Sequence, residues 1–438
     1  MHLPPGTLST RYHAAFRSLG ACRHTCTNTL DHAIARDGAP KAGDVLSPLV
    51  EFNFRLPAQH CMNESASDLT GLGIMSCRIL YVIGELRSGG SERQLNYLLK
   101  SMDRRRYQPE VVVWNLRETD TYVSQIRALG VPLHSFPAAS SRTMKLKTFR
   151  RMVMHIKPEV VHSYSFYTNF AAYWATLGTK AIAIGGVRSD IEWAKKDSGL
   201  LLGRLSARWP RRQIFNSCAA AKITQNSKSL FVPKECLVVR NGVNLELFRR
   251  LPLAANGKVH ILGVGSLFPV KRWDRLTLAA VALKQRGLDF MIRIVGDGPL
   301  RASLERQAED VRVAECVKFI GHADNIPELL AEATFLVHPS DKEGCPNVVM
   351  EAMACGRAVV ATNVGDVTQV VEDGKTGFVV PCGDDATLVE RMATLITNRN
   401  LCCDMGLAGC DKAKREFKLD RVVSETLAAY RSAGWKDS

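Results

Sequence analysis

From residue 77 onward the chain alternates short, continuous apolar runs with longer stretches whose apolar positions recur every three or four residues. The first pattern belongs to strands buried on both faces, the second to helices that cover them. RILYVIGEL opens the series, and a Gly-Gly loop leads into an amphipathic stretch over residues 91–102. EVVVWNL, a helix near 121–129, VPLHSF, a basic amphipathic helix over 145–156, EVVHSYS, AIAIGGV and QIFNS follow. A second series starts near Lys258 with VHILGVGSL, a helix over 272–286, FMIRIVGDG, a helix around 300–309 and CVKFIG. After a short helix at 326–333 come TFLVHPS, a helix from Pro346 to about Gly356, AVVAT and GFVVP. Glycine at the end of that helix suits a left-handed cap. Strands alternating with helices predict parallel pairing through right-handed crossovers. The expected fold is α/β, with two Rossmann-like, doubly wound domains over residues 76–250 and 251–438 facing a central cleft. The amphipathic segment 420–431 is expected to pack back across the domain boundary.

Residues 1–75 show neither period and mix Pro, Ser, Thr, Gly and His throughout, which predicts poor order. Met75 stands directly before the first strand, so it is a candidate start, with the preceding residues an extension of the gene model. The chain's 438 residues exceed one ordinary core, and 46% hydrophobic with 23% charged residues is the balance of a globular enzyme. No run reaches the ~18 apolar residues of a membrane span, and no secretory apolar core marks the N-terminus, so a cytoplasmic location is expected. Thirteen scattered cysteines, an odd number without a CxxC pair, read as thiols in a reducing compartment.

Charge becomes informative once divided. Residues 1–75 are neutral overall, 76–250 carry a net +17, and 251–438 carry −2. The basic excess of the first domain fits attraction to an anionic substrate or peripheral contact with anionic lipid at the inner membrane face. Nucleic acid is disfavoured as a partner, because no helix-turn-helix, zinc-finger or aromatic-stacking motif accompanies the charge.

The strongest constellation is HPSDKEGCPNVVMEAMACGRAVVATNVGD, residues 338–366. Glu343 lies in the loop after a strand, and Glu351 lies seven residues beyond it inside the helix that Pro346 helps start. The free backbone N–H groups of Asn347 and Val348 can face an anion such as a diphosphate. A carboxylate at Glu351 can accept from two adjacent ribose hydroxyls, with Glu343 nearer the cleft mouth.

This stretch resembles the EX7E signature of the large group of retaining GT-B glycosyltransferases, family 4-like and group 1, that includes sucrose synthases and mannosyltransferases. GGSERQL (89–95) resembles the GGxER loop of that group, and VVRNGVNLELF (238–248) its domain-linking segment. VGSLFPVKRWDRL (264–276) resembles its phosphate-lysine segment, and VGDGPLR (295–301) its GDGPxR turn. The resemblance implies that Lys271 neutralises a donor diphosphate, Glu351 holds the ribose and Glu343 contacts the transferred sugar. It also implies that Gly89 and Gly90 let the backbone approach the phosphates. Lysine and helix N-terminal amides can compensate the leaving group's charge without a metal. No Asp-x-Asp motif stands where a metal site is expected, so no cofactor and no metal are expected.

Two departures matter. Ser266 stands where members of the group often carry arginine, which weakens the diphosphate site unless Arg240 or Arg188 compensates. GGVRSD places Arg188 where many members carry a histidine, and arginine cannot serve as a base at neutral pH. His162, at the end of VVHSYS, is a candidate site residue and equally a candidate structural histidine. The implied function is retaining transfer of a hexose or N-acetylhexosamine from a UDP- or GDP-sugar to a glycan or lipid-linked acceptor, as in cell-envelope polysaccharide biosynthesis. The competing readings are a nucleotide-sugar epimerase or hydrolase, which consumes donor without acceptor, and an inactive donor-binding scaffold, which binds without turnover.

Overall fold

A computed structural model of the chain describes residues 77–188, 191–253 and 257–436. The expectations for residues 1–75 and for Met75 lie outside them.

Two parallel sheets organise these residues. The first comprises β1 (Cys77–Ile83), β2 (Tyr107–Val113), β3 (Leu133–His134), β4 (Val160–Ser163), β5 (Ile182–Val187), β6 (Arg212–Phe215) and β7 (Glu235–Val238). Its spatial order is β3-β2-β1-β4-β5-β6-β7. The second comprises β8 (Val259–Val264), β9 (Phe290–Val295), β10 (Val317–Gly321), β11 (Phe335–His338), β12 (Ala358–Thr362) and β13 (Gly377–Val380), in the order β10-β9-β8-β11-β12-β13. The architecture is α/β, as the alternating pattern predicts.

The continuous apolar runs are explained by burial on both faces. In the second sheet Ile261, Val337 and Val360 enter one core, while their neighbours Leu262, Leu336 and Val359 enter the opposite one. The first sheet does the same with Ile79, Tyr81 and Val111 against Leu80, Val82 and Val112. Strand side chains alternate faces, so a strand covered twice has no polar position to offer.

Each sheet reverses its winding once, between β1 and β4 and between β8 and β11. At such a switch point the loops leaving two adjacent strands diverge to opposite faces and open a crevice at the strands' carboxyl ends. Both crevices supply the site described below.

The chain crosses between the sheets twice. The first crossing follows β7, and the second precedes the helix Leu419–Ser432. The two crossings touch: Val243 N–H donates to the Phe417 carbonyl at 2.8 Å, and Val243 pairs with Lys418 as a parallel bridge. A Cβ on Gly242 would lie 2.7 Å from Val422 Cγ2, so glycine permits this approach. The helix 419–432 then joins the core of the first sheet through Val422, Leu427 and Tyr430. Trp435 Nε1 beyond it donates to Glu159 at 2.8 Å. Among the described residues no helix is long and apolar enough to cross a membrane.

Candidate active site

Lys271 and Glu343 come from the two loops that diverge at the switch point of the second sheet. Lys271 closes a short helical turn, Pro269–Lys271, after β8, and Glu343 follows β11. Lys271 Nζ lies 2.7 Å from Glu343 Oε1, and His338 Nε2, at the end of β11, lies 3.0 Å from the same oxygen. Burial alone would raise the Glu343 carboxyl, but His338 and Lys271 outweigh it and hold the group well below the usual carboxylate range. Glu343 is therefore an anion at every physiological pH.

Its loop is held from behind by glycine. Gly365 has φ +55°, and a Cβ there would meet the Glu343 and Gly344 carbonyls at 2.4 Å. Asp366, next in sequence, is buried and crosses to the first domain. Its carboxylate accepts from Ser217 Oγ at 2.7 Å and from the amides of Cys218 and Ala219 at 2.9 Å. Those amides open the helix Cys218–Gln225, where a carboxylate complements both the free N–H groups and the helix dipole.

Glu351 sits in the helix Asn347–Ala354 and is only 3% exposed. Its Oε1 meets Arg93 Nη2 at 2.5 Å, and Arg93 belongs to the helix Gly90–Ser101 of the first domain. Burial pushes the Glu351 carboxyl above its ordinary value, with Arg93 opposing it. Asn347 Oδ1 accepts from Asn241 Nδ2 at 2.8 Å and from Gln94 Nε2 at 3.3 Å. Gln94 is fixed in turn by both backbone groups of Gly242. The first turn of the helix 347–354 is thus tied to the first domain by side chains, while the leading amides, Asn347 and Val348 among them, have no intrahelical acceptor.

These groups surround one cavity of about 350 Å³, lined from both domains by Gly90, Arg93, Arg188, Lys271, Glu343 and Glu351 among others. Asn347, Val348, His338 and Gly265 complete the wall on the side of the second sheet. Three cations, two carboxylates and a helix N-terminus facing one space can bind an anion bearing vicinal hydroxyls.

The expected residues distribute as follows. Lys271, Glu343, Glu351, Asn347, Val348, Gly90 and Arg188 are brought together. Gly90 makes room for the partner domain, since a Cβ there would lie 2.8 Å from Asn347 Nδ2. Gly89 stands one residue outside the lining, and a Cβ on it would meet the Glu92 carboxylate at 2.2 Å. Ser266 is exposed; its carbonyl accepts from Trp273 Nε1 at 3.1 Å and its side chain is not part of the cavity wall. Arg188 lies over the Tyr164 ring, 3.7 Å from its centroid. Arg240 is not in the wall; the Arg93 guanidinium is.

His162 lies outside the cavity wall. It is 1% exposed, its Nδ1 is 2.7 Å from the Tyr430 hydroxyl, and Tyr81 and Tyr164 flank its ring. Burial, then the charge of Arg188, push its pKa well below the ordinary value, so it is a neutral part of the seam with the helix 419–432. Arg93 and His338 were not singled out from sequence, although both stand inside recognised segments, GGSER and HPSD.

Two family models match the chain. One is described as a glycosyl transferase 4-like domain and covers residues 89–230; the other, glycosyl transferases group 1, covers residues 246–410. The N-acetyl-alpha-D-glucosaminyl L-malate synthase of Bacillus anthracis is 29% identical over 143 residues, 33% of this chain and 38% of that protein. The amylovoran biosynthesis glycosyltransferase AmsK of Erwinia amylovora is 30% identical over 245 residues, 52% of this chain and 57% of that protein. The chain thus spans less than two thirds of the length of these curated relatives. Among solved structures, Anabaena Alr3699/HepE in complex with UDP-glucose superposes with a TM-score of 0.69 at 20% identity, covering 81% of this chain and 99% of that one.

Proposed function

From the premise that the chain belongs to the GT-B glycosyltransferases of group 1, we propose that it transfers a hexose or N-acetylhexosamine from a UDP- or GDP-sugar to a glycan or lipid-linked acceptor. The observation that carries the reading is the single cavity of about 350 Å³ in which Lys271, Glu343, Glu351 and the start of the helix 347–354 converge. Its volume is at the lower end of the usual range for small-molecule sites.

In this reading the diphosphate lies against Lys271 and the leading amides of the helix 347–354, and the ribose hydroxyls donate to Glu351. As the glycosidic bond breaks, negative charge gathers on the diphosphate. Fixed cations and amides compensate it without reorganising, so no metal is required. Glu343 shares Lys271 with the phosphates and faces the transferred sugar. Arg93 and Arg188 supply the positive charge that Ser266 does not. Retention follows from attack on the face the diphosphate leaves, with a phosphate oxygen taking the acceptor proton, so no protein nucleophile is assigned.

Membrane contact suits the acceptor. The helix Arg142–Ile156 carries Arg142, Lys145, Lys147, Arg150 and Arg151, and its Met144 and Met154 are exposed. A basic helix with outward apolar side chains is suited to an anionic lipid surface. The name of AmsK, a relative in amylovoran biosynthesis, favours a polysaccharide product.

The test is turnover by the full chain across UDP-, GDP- and ADP-sugars with chelator present. Nucleoside diphosphate release that requires a glycan or membrane extract supports transfer. Equal release without acceptor overturns it in favour of hydrolysis, and binding without release in favour of a scaffold.

A further inference from the structure

A second and larger cavity, about 640 Å³, lies between the helices 142–156, Asn169–Thr176 and Leu200–Arg208 and shares no lining residue with the first. Its wall is largely apolar, with Trp114, Leu146, Phe170, Leu201, Leu202 and Leu205. Leu200 and Leu201 at its mouth are 75% and 73% exposed, which is uncommon for adjacent leucines without an apolar partner.

Lys145 stands in the wall that this cavity shares with an adjoining one of about 370 Å³, which Ser135, Glu118 and Asn115 make more polar. Its ammonium donates to the Trp114 carbonyl at 2.7 Å and Asn115 Oδ1 at 2.8 Å, and faces the Trp114 and Phe136 rings. Burial lowers its pKa. Among the described residues neither Lys145 nor its neighbour Arg142 has an ion-pair carboxylate. Of the acids nearby, Glu118 is engaged by Arg127 at 2.6 Å, and Asp197 lines the larger cavity next to Ser198 and the leucines that follow it.

A lysine set between a large apolar space and a smaller polar one, held by neutral acceptors and paired with no carboxylate among the described residues, matches an amphiphile whose anionic group separates hydrocarbon from polar head. We infer that the paired cavities bind a lipid phosphate, with the hydrocarbon chain among the leucines and the phosphate against Lys145 and Arg142. Apolar burial supplies the affinity and the charge-assisted contact fixes the register.

Position connects this site to the cleft. Trp114 and Asn115 follow β2, and Tyr167 follows β4, so the cavities open at the carboxyl ends of the first sheet beside its switch point. A Cβ on Gly84 would lie 1.9 Å from the Tyr167 hydroxyl, and Gly84 begins the loop that ends at Gly90 in the cleft. The assignment of this lipid phosphate as the acceptor rests on the transferase reading above.

Calorimetry on the full chain, below micellar concentrations, compares farnesyl phosphate with farnesol and inorganic phosphate. Farnesyl phosphate is expected to bind at least about tenfold more tightly than either, one strong charge-assisted contact being worth roughly that factor. Arg142→Glu, at an exposed position, and Lys145→Met should each weaken it about tenfold while farnesol is unaffected. Leu201→Asp should weaken both lipids. Equal binding by all three variants overturns the site, as does binding to phosphatidylglycerol vesicles without binding to farnesyl phosphate. Failure of the wild type to bind any nucleotide sugar, with farnesyl phosphate binding intact, overturns the transferase reading and leaves this one standing.

Discussion

Arg93 of the first domain and Glu351 of the second meet at 2.5 Å in the wall of the cleft, so one nearly buried ion pair belongs to both domains. Removing one partner strands the other charge where water reaches it poorly. Arg93→Met is expected to destabilise the protein by about 3 kcal/mol, and the double variant with Glu351→Gln to recover most of that loss. Urea unfolding of the four forms checks it; additive losses would mean that the pair is uncoupled.

Lys271 carries the charge of the proposed reaction. Lys271→Met should lower nucleoside diphosphate release by about 10²–10³-fold, the usual consequence of deleting one fixed group that stabilises developing charge. Some thermal stability should be lost as well, because Glu343 keeps only His338 to offset its burial. Steady-state kinetics with thermal unfolding on the same samples separates the two; unchanged release would remove Lys271 from the mechanism.

Glu351 gives a signed pH dependence. Its folded-state pKa is raised above the ordinary 4.5, chiefly by burial. The unfolded chain therefore releases this proton first as pH rises, and folding stability contributed by the protonated form is lost from 4.5 up to the folded value. Wild type should lose stability relative to Glu351→Gln across that window. A difference independent of pH, measured by chemical unfolding, would contradict the shift.

Asp366 contributes through geometry. Its carboxylate satisfies two amides and a hydroxyl at the start of the helix 218–225. Asp366→Ala should cost about 2 kcal/mol and speed hydrogen exchange at Cys218 and Ala219, with Asp366→Asn intermediate. Unchanged exchange at those two amides would show that another acceptor replaces it.

Much of the fold was legible because strands buried on both faces leave unbroken apolar runs. What escaped lacked such a signature. The helix 169–176, NFAAYWAT, is apolar nearly all round, so it has no stripe to read. The helix Arg399–Glu416 has a weak stripe interrupted by cysteine and glycine. Strand β7, ECLV, is a half-exposed edge of four residues. At the site, Lys271, Glu343 and Glu351 stood out through motif spacing. Arg93 and His338 did not, because their roles depend on which loops the strand order makes adjacent. Ser266 suggested a missing cation, and the structure brings Arg93 of the opposite domain into the cavity wall, a juxtaposition that only tertiary structure creates.

The paired crossings at Val243 and Lys418 bring the two chain connections between the sheets together at one place. Two chain segments pinned side by side act like the two knuckles of a door hinge. Such a pairing is expected to allow swinging about the line that joins them more readily than twisting or sliding across it. Since the last helix is anchored on the far panel, cutting the chain at Lys418 would remove one knuckle and unfasten the door on that side. If the proposed transfer takes place here, opening of its cleft would then be expected along one angular coordinate, with Arg93 and Glu351 as the catch.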